Sequence, residues 1–227
     1  MPMVFRQLFD KDTCTYTYLL ANERKEAVLI DTVLECMEEY TLLLSQLGLT
    51  LRYALDTHVH ADHITAAGVL RQHTGCETGI SIHAGVDCAD VALTDGMALT
   101  VGSFDIHVLE TPGHTPTCLS FLCGDMVFTG DALLIDGCGR TDFQGGDAGQ
   151  LYDSITQKLF VLPEQTVVYP GHDYHGKTSS TIGEQKACNP RLKHTKHDFI
   201  EFMNQLDLPN PKRIEEAVPA NQACGQV

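Results

Sequence analysis

The chain has 227 residues, of which 43% are hydrophobic and 20% charged, and its formal net charge is −15. This length and composition fit one globular domain with its own core, and no apolar run reaches the roughly 18 residues that a membrane span needs. So acidic a surface argues against nucleic acids and anionic membranes as partners, and an anionic substrate would need local arginines or lysines.

The first half of the chain alternates apolar strands with two amphipathic helices. In chain order, the pattern predicts strands over residues 4–9, 15–20 and 27–31, a helix over 35–47, a strand over 52–57, a helix over 64–73 and a strand over 78–83. The helix over 35–47 places Met37, Tyr40 and Leu44 on one face, and Gly48 follows as a stop signal.

The second half contains hairpins followed by helices. The predicted elements are a hairpin over residues 98–109, paired strands over 118–123 and 126–129, a helix over 148–159, a strand over 166–169 and helices over 181–187, 196–205 and 211–217. Mixed strands and helices with several hairpins predict an α/β sandwich of two sheets with helices outside. We expect a single domain over residues 1–227 with a short C-terminal helical appendage from about residue 180.

The nine cysteines show an irregular spacing and no C-x-x-C pair. This pattern argues against a disulfide framework and a structural zinc site, so we expect mostly small buried hydrophobes in a reducing compartment. Cys138, between two glycines, stays open as a redox-active candidate. The N-terminal residues lack a basic region followed by an apolar run, which predicts a cytoplasmic protein.

A segment rich in histidine and aspartate, Thr57-His58-Val59-His60-Ala61-Asp62-His63, directly follows a predicted strand. On extended backbone His58 and His60 point the same way, and Asp62 and His63 lie where the next helix is predicted to begin. Imidazole and carboxylate are the ligands of zinc, iron and manganese sites. Taken alone, Asp62 is equally compatible with a helix N-cap.

Three further candidate ligands follow strand-like runs, and they are His114 after Thr111-Pro112-Gly113, Asp131 after Phe128-Thr129-Gly130, and His172 after Tyr169-Pro170-Gly171. Each one alone also fits an ordinary loop or turn residue. Because loops at one edge of an α/β fold converge, the joint pattern predicts an open metal site.

These metal motifs resemble those of the metallo-β-lactamase superfamily, and over nearly its whole length the chain resembles the persulfide dioxygenases within it. The resemblance rests on residues 15–20, 57–65, 137–144, 172–176, 189–192 and 217–221. The last three segments, His-Asp-Tyr-His-Gly, Asn-Pro-Arg-Leu and Ala-Val-Pro-Ala-Asn, are not general features of the superfamily. The resemblance implies a metallo-β-lactamase αβ/βα sandwich, in which two mixed β-sheets are flanked by helices and the metal site lies at one edge.

The resemblance also implies one Fe(II) per chain, bound by His58, His114 and Asp131. Two histidines and one carboxylate leave open positions for substrate and O₂, as in other non-haem iron oxygenases. The remaining superfamily ligands would surround these three and orient them through hydrogen bonds. They are His60, Asp62, His63 and His172.

The implied reaction converts glutathione persulfide, O₂ and water to glutathione and sulfite in sulfide catabolism. Arg140, Tyr174 and Arg191 match the family's glutathione-binding positions, and a planar guanidinium suits carboxylates because it donates two parallel hydrogen bonds. Alternatively, the arginines are surface residues without a role and Tyr174 only packs. The resemblance further suggests a homodimer, and any sulfurtransferase partner would be a separate chain.

Three segments differ from the usual sequence of the family. Residues 31–33 read Asp-Thr-Val in place of Asp-Pro-Val, residues 143–146 read Phe-Gln-Gly-Gly in place of a Gln-Gln-Gly ending, and residues 170–172 read Pro-Gly-His in place of Pro-Ala-His. None of these changes removes a proposed iron ligand. The change at Gly145 leaves the shape of the substrate loop open.

Two other interpretations compete with the dioxygenase. A glyoxalase-II-like thioester hydrolase (hydroxyacylglutathione hydrolase) would use the same histidines and aspartates to hold two metals around a bridging hydroxide. The chain after His172 is short for the helical substrate-binding domain of that family, and the motifs of Arg140 and Arg191 point away from it. A metal-dependent binding protein without catalysis is disfavoured by the complete, open ligand set.

Overall fold

The structure, a computed structural model, describes residues 4–209, 211 and 213–225. Its strands are β1 (Val4–Asp10), β2 (Thr15–Ala21), β3 (Glu26–Ile30), β4 (Thr50–Leu55), β5 (Glu77–Ser81), β6 (Val91–Leu93), β7 (Ala98–Val101), β8 (Phe104–Glu110), β9 (Leu119–Cys123), β10 (Met126–Gly130), β11 (Val167–Pro170) and β12 (Ser180–Thr181). Its α-helices are α1 (Met37–Leu47), α2 (Ala67–Thr74), α3 (Ala148–Ser154), α4 (Ile182–Cys188), α5 (Lys196–Asn204) and α6 (Ile214–Gln222). None of these described helices is long and apolar enough to cross a membrane.

The strands form two six-stranded sheets. In the first sheet, which runs in the order β1 to β6, the strands β1, β2 and β3 are antiparallel and the strands from β3 to β6 are parallel. Helices α1 and α2 provide the crossovers from β3 to β4 and from β4 to β5. In the second sheet, ordered β12-β11-β10-β9-β8-β7, β10 and β11 are parallel and the other neighbours antiparallel.

The two sheets face each other across an apolar core, and helices cover their outer faces. Strand β2 shows the reason, because all seven of its residues are buried. Successive side chains of a strand point to opposite faces, so Tyr18 and Leu20 enter the core between the sheets while Leu19 and Ala21 pack with residues of α1 and α2. Helix α5 covers the second sheet through Phe199. The predicted αβ/βα sandwich of two mixed sheets is confirmed.

Several element bounds differ from the sequence prediction. Helix α2 begins at Ala67, so Asp62 does not cap it, and Ala66 occupies the N-cap position. The helix predicted over 148–159 is α3 followed by a π-helical turn, Ile155–Leu159. Helix α6 begins and ends later than the predicted range 211–217, of which residue 212 lies outside the described residues. Strands β6 and β12 have no predicted counterpart, because runs this short carry no periodicity.

A disulfide joins Cys88 to Cys224, contrary to the expectation of unpaired cysteines. The two cysteines are 136 residues apart, so no spacing pattern signals the pair. The fold brings the end of α6 back to the loop before β6, and this long-range packing creates the contact. Among the free cysteines, four are buried as expected, namely Cys76, Cys118, Cys123 and Cys138. Cys14 and Cys36 are half-buried, and Cys188 is exposed.

Candidate metal centre

The predicted ligands lie at one edge of the sandwich, each after the end of a strand. His58 follows β4, His114 follows β8, Asp131 follows β10 and His172 follows β11. One ligand atom from each of His58, His114 and Asp131 lies within 4.8 Å of the other two. The fold therefore brings together three residues that are far apart in the sequence.

His58 is oriented by a relay of hydrogen bonds. Its Nδ1–H donates to Thr57 Oγ1 at 3.0 Å, and that hydroxyl donates to Asp31 Oδ2 at 3.0 Å. This arrangement leaves Nε2 of His58 with a free lone pair. Burial lowers the pKa of His58 well below its usual range, which keeps the ring in the neutral form that binds metals.

His114 and Asp131 are close enough to share one ion. His114 donates from Nδ1 to the carbonyl of Arg140 at 2.7 Å, and its Nε2 lies 3.6 Å from Asp131 Oδ2. Two ligand atoms that are each about 2.1 Å from one metal lie about 3 to 3.5 Å apart. Gly139 permits this approach, because a Cβ there would lie 2.2 Å from Asp131 O and 2.9 Å from His114 Nδ1.

A second group of candidate ligands adjoins the first. One ligand atom from each of His60, Asp62 and His63 lies within 4.8 Å of the others. His172 stands between the groups, since its Nε2 is 3.6 Å from Asp62 Oδ2 and 3.6 Å from Asp131 Oδ1. Burial opposes protonation of His172, but the carboxylates of Asp131 and Asp62 outweigh it and raise the pKa of this ring.

Three buried polar atoms at the centre have no hydrogen-bond partner among the described residues: His60 Nδ1, His63 Nε2 and Asp131 Oδ1. The other nitrogen of each ring is used, because His60 Nε2 donates to Asp31 at 3.2 Å and His63 Nδ1 donates to Asp62 at 2.9 Å. A buried polar atom without a partner costs about 1–3 kcal/mol. Each of these atoms belongs to a residue of one of the two ligand groups, and unpaired imidazole and carboxylate atoms of such groups fit a bound metal cation.

The centre opens into a cavity of about 530 Å³. This volume lies within the range of about 300–1,000 Å³ that is usual for small-molecule sites. His58, His114 and Asp131 line the cavity, and so do the three predicted substrate-binding residues, Arg140, Tyr174 and Arg191.

The two arginines differ in the donors they have left for a ligand. Arg140 donates to both carboxylate oxygens of Asp142 at 2.7 Å, and at 2.7 and 3.2 Å to two carbonyls of the segment between α5 and α6. Four of its five N–H groups are thus occupied. Arg191 donates from one nitrogen to the carbonyl of Cys138 at 2.7 Å. Its other two nitrogens have no partner among the described residues, so Arg191 is the better placed to bind a carboxylate.

Tyr174 and Cys138 also line the cavity but differ in exposure. Tyr174 is 65% exposed, and its ring stacks on His172 with centroids 6.1 Å apart. Cys138 is buried, and burial raises the pKa of its thiol to about 11 in spite of the nearby Arg191. Cys138 is therefore a protonated thiol at neutral pH, which is the unreactive form.

Two buried residues support the segment 58–66, here called the metal loop, although sequence reasoning did not select them. Asp31 accepts hydrogen bonds from Thr57 and His60, and its sequence signals were its place at the end of the strand predicted over 27–31 and in the segment 31–33. Asn221 donates to two carbonyls of the metal loop. Its signal was the motif at residues 217–221, which carried the family resemblance but no role.

The chain is similar in sequence to a known protein family and to individual members of it. The family model described as the metallo-beta-lactamase superfamily matches residues 14–91 and 89–172. The mitochondrial persulfide dioxygenase ETHE1 of Bos taurus is 50% identical over 228 residues, which cover 99% of this chain and 89% of that protein. The chain belongs to the persulfide dioxygenase family. The resemblance drawn from the motifs is confirmed, and with it a metal-dependent oxidoreductase.

Two further proteins allow the likeness to dioxygenases to be compared with the likeness to a glyoxylase. The crystal structure of ETHE1 from Myxococcus xanthus matches with a TM-score of 0.96 and 53% identity, covering 98% of this chain and all of that one. A protein of Dictyostelium discoideum named glyoxylase B2 is 32% identical over 207 residues, which cover 77% of this chain and 70% of that protein. The likeness to the dioxygenases is thus both closer and more complete than the likeness to the glyoxylase.

Proposed function

We propose that the protein is a glutathione-dependent persulfide dioxygenase. One glutathione persulfide, one O₂ and one water give one glutathione, one sulfite and two protons, so the outer sulfur gains all the oxygen and leaves the glutathione sulfur as a thiol. The observation that carries this proposal is the 50% sequence identity to a persulfide dioxygenase over 99% of this chain. The convergence of His58, His114 and Asp131 in a cavity of suitable size supports it.

We propose one Fe(II) per chain, held by His58, His114 and Asp131. A 2-His-1-carboxylate set is the ligand arrangement of non-haem iron oxygenases and leaves coordination positions open. When bound, ferrous iron supplies the electrons that activate O₂ and a positive charge for the persulfide anion. The other family positions, His60, Asp62, His63 and His172, surround these ligands: the ring of His60 lies 4.2 Å from that of His58, and His172 Nε2 lies 3.6 Å from Asp131 Oδ1.

The cavity walls bind the glutathione part of the substrate. Arg191 binds one carboxylate through its free N–H groups, and Arg140 adds its one remaining donor and its charge on an otherwise acidic chain. Tyr174 contacts the peptide at the exposed side of the cavity. These contacts hold the persulfide sulfur towards the metal ligands, so binding energy from the peptide positions the reacting atoms.

The alternative is the dinuclear thioester hydrolase, for which the second ligand group and its two unpaired ring nitrogens provide a place for another ion. The closer and longer likeness to dioxygenases favours oxidation over hydrolysis. A homodimer, a separate sulfurtransferase and a cytoplasmic location stay predictions. The bovine relative is named as mitochondrial.

One experiment separates the two functions. The protein is purified without oxygen, its metals are measured by elemental analysis, and O₂ uptake is followed after addition of glutathione persulfide. About one iron per chain with persulfide-dependent O₂ uptake and sulfite release is expected. Two zinc ions per chain with hydrolysis of S-lactoylglutathione would instead establish the hydrolase.

A further inference from the structure

The metal loop is a stretch of irregular backbone that must find hydrogen-bond partners outside itself. It carries four of the candidate ligands, yet residues 58–66 form neither helix nor strand. The backbone N–H and C=O groups of such a buried loop need partners from elsewhere in the fold. Whatever provides those partners also sets the path of the loop, and hence the directions of its histidines.

A single side chain from the far end of the sequence provides three of these partners. Asn221 donates from Nδ2 to the carbonyl of His60 at 2.9 Å and to the carbonyl of His63 at 2.8 Å. Its Oδ1 accepts from the backbone N–H of Thr65 at 2.8 Å. The side chain is 4% exposed, so water does not compete for these bonds. An amide suits this task because it combines two donors with an acceptor.

The position of Asn221 is itself well determined. Helix α6 packs Ala217 and Ala220 against Ile64 of the metal loop. Immediately after α6, the carbonyl of Cys224 accepts from the backbone N–H of Gly68 in α2 at 3.1 Å. The disulfide of Cys224 adds a covalent tether three residues after Asn221. Contacts of residues before and after Asn221 therefore hold its side-chain amide against the metal loop.

We propose that Asn221 is a positioning residue that holds the metal loop in the geometry required for metal binding. It touches no metal ligand atom and acts only through the loop backbone. This inference rests on metal binding at the centre, which is part of the proposed function, but not on the identity of the reaction. Outer contacts of this kind change metal affinity by roughly 10- to 100-fold when they are removed.

The test compares Asn221→Ala with Asn22→Ala. Asn22 is also a buried asparagine, with 1% exposure, and it donates to Val101 O and accepts from the N–H groups of Arg24 and Glu26. Thr15, the first residue of β2, forms a β-bridge with His172 at the metal centre, whereas Asn22 follows the last residue of the strand. Asn22 is therefore remote from the centre. Both variants lose a comparable set of buried hydrogen bonds, and the melting temperature of each metal-free protein measures that loss.

The measurements are the affinity for Zn(II) against a chelator and the visible absorption spectrum with Co(II) in the centre. We expect Asn221→Ala to bind Zn(II) roughly 10- to 100-fold more weakly and to shift the Co(II) bands, while Asn22→Ala keeps the wild-type affinity and spectrum. The milder Asn221→Ser, which keeps one hydroxyl partner, is expected to fall in between and serves if the alanine variant does not fold.

Wild-type affinity and spectrum in the Asn221 variants would overturn the proposal, and so would an equal loss of affinity in Asn22→Ala. Wild-type protein that bound neither metal would overturn it together with the proposed function. Neither readout uses O₂ or persulfide. If the protein bound metal as expected but did not oxidise persulfide, the proposed function alone would fail.

Discussion

We expect the disulfide between Cys88 and Cys224 to contribute a large part of the free energy of unfolding. The bridge closes a segment of 136 residues. In the chain-entropy model a loop of this length destabilises the unfolded state by about 5 kcal/mol, and measured values are typically about 2–4 kcal/mol. Domains have a free energy of unfolding of about 5–15 kcal/mol. Replacing Cys88 by Ser should therefore remove a substantial fraction of the total.

The assay is equilibrium unfolding in urea, followed by fluorescence or circular dichroism without reductant. Cys88→Ser is chosen because Cys88 is half-buried, whereas Cys224 is 4% exposed and packs in the core. Cys188→Ser, at an exposed free cysteine, is the matched control and should unfold as the wild type does. The wild type measured with reductant should have the same free energy of unfolding as Cys88→Ser, because both lack the bridge.

Two results would contradict this reasoning. Nine reactive thiols in denatured, unreduced wild type would mean that no bridge exists, since the structure leaves seven of the cysteines free. Equal free energies of unfolding for the wild type and Cys88→Ser, in protein shown to carry seven thiols, would mean that the bridge does not restrict the unfolded chain.

Three further predictions concern the centre and its frame. Asp131→Ala removes one of three ligands and should leave the purified protein without metal; full occupancy by elemental analysis would exclude Asp131 as a ligand. Arg191→Lys loses the planar fork and should raise KM for glutathione persulfide about tenfold, since a charged hydrogen bond contributes about 1.5–3 kcal/mol. Arg140→Lys keeps the charge and should raise KM less, because four of the five Arg140 N–H groups are already used within the protein; an unchanged KM in either variant would remove that residue from substrate binding. Gly113→Ala should lower the melting temperature, because φ is +137° and the new Cβ would lie 2.3 Å from the Leu151 backbone; an unchanged melting temperature would contradict the close approach.

Much of the fold and the ligand set could be predicted because the relevant signals are local. The alternation in β2 and the apolar face of α1 follow from periods of two and 3.6 residues, which a short window reveals. The spacing of His58, His60, Asp62 and His63 is visible within one segment. His114, Asp131 and His172 each follow a strand-like run, and such ends meet at one edge of a sheet.

Other features could not be predicted because they depend on contacts between distant parts of the chain. The capping interpretation of Asp62 is wrong because α2 begins at Ala67, and the residues before it follow a path supported by Asn221 from the C-terminal helix. The support of His58 and His60 by Asp31 has the same origin. No local pattern distinguishes a buried asparagine that holds a loop from one that merely packs.

The sequence by itself determined the kinds of chemistry available and the order of strands and helices, since residue type and periodicity are properties of short segments. Only the tertiary structure decided which atoms meet. It pairs Cys88 with Cys224, occupies four donors of Arg140 within the protein and leaves Arg191 open to a ligand. Such pairings arise when the sandwich closes and distant segments must satisfy one another's buried polar groups.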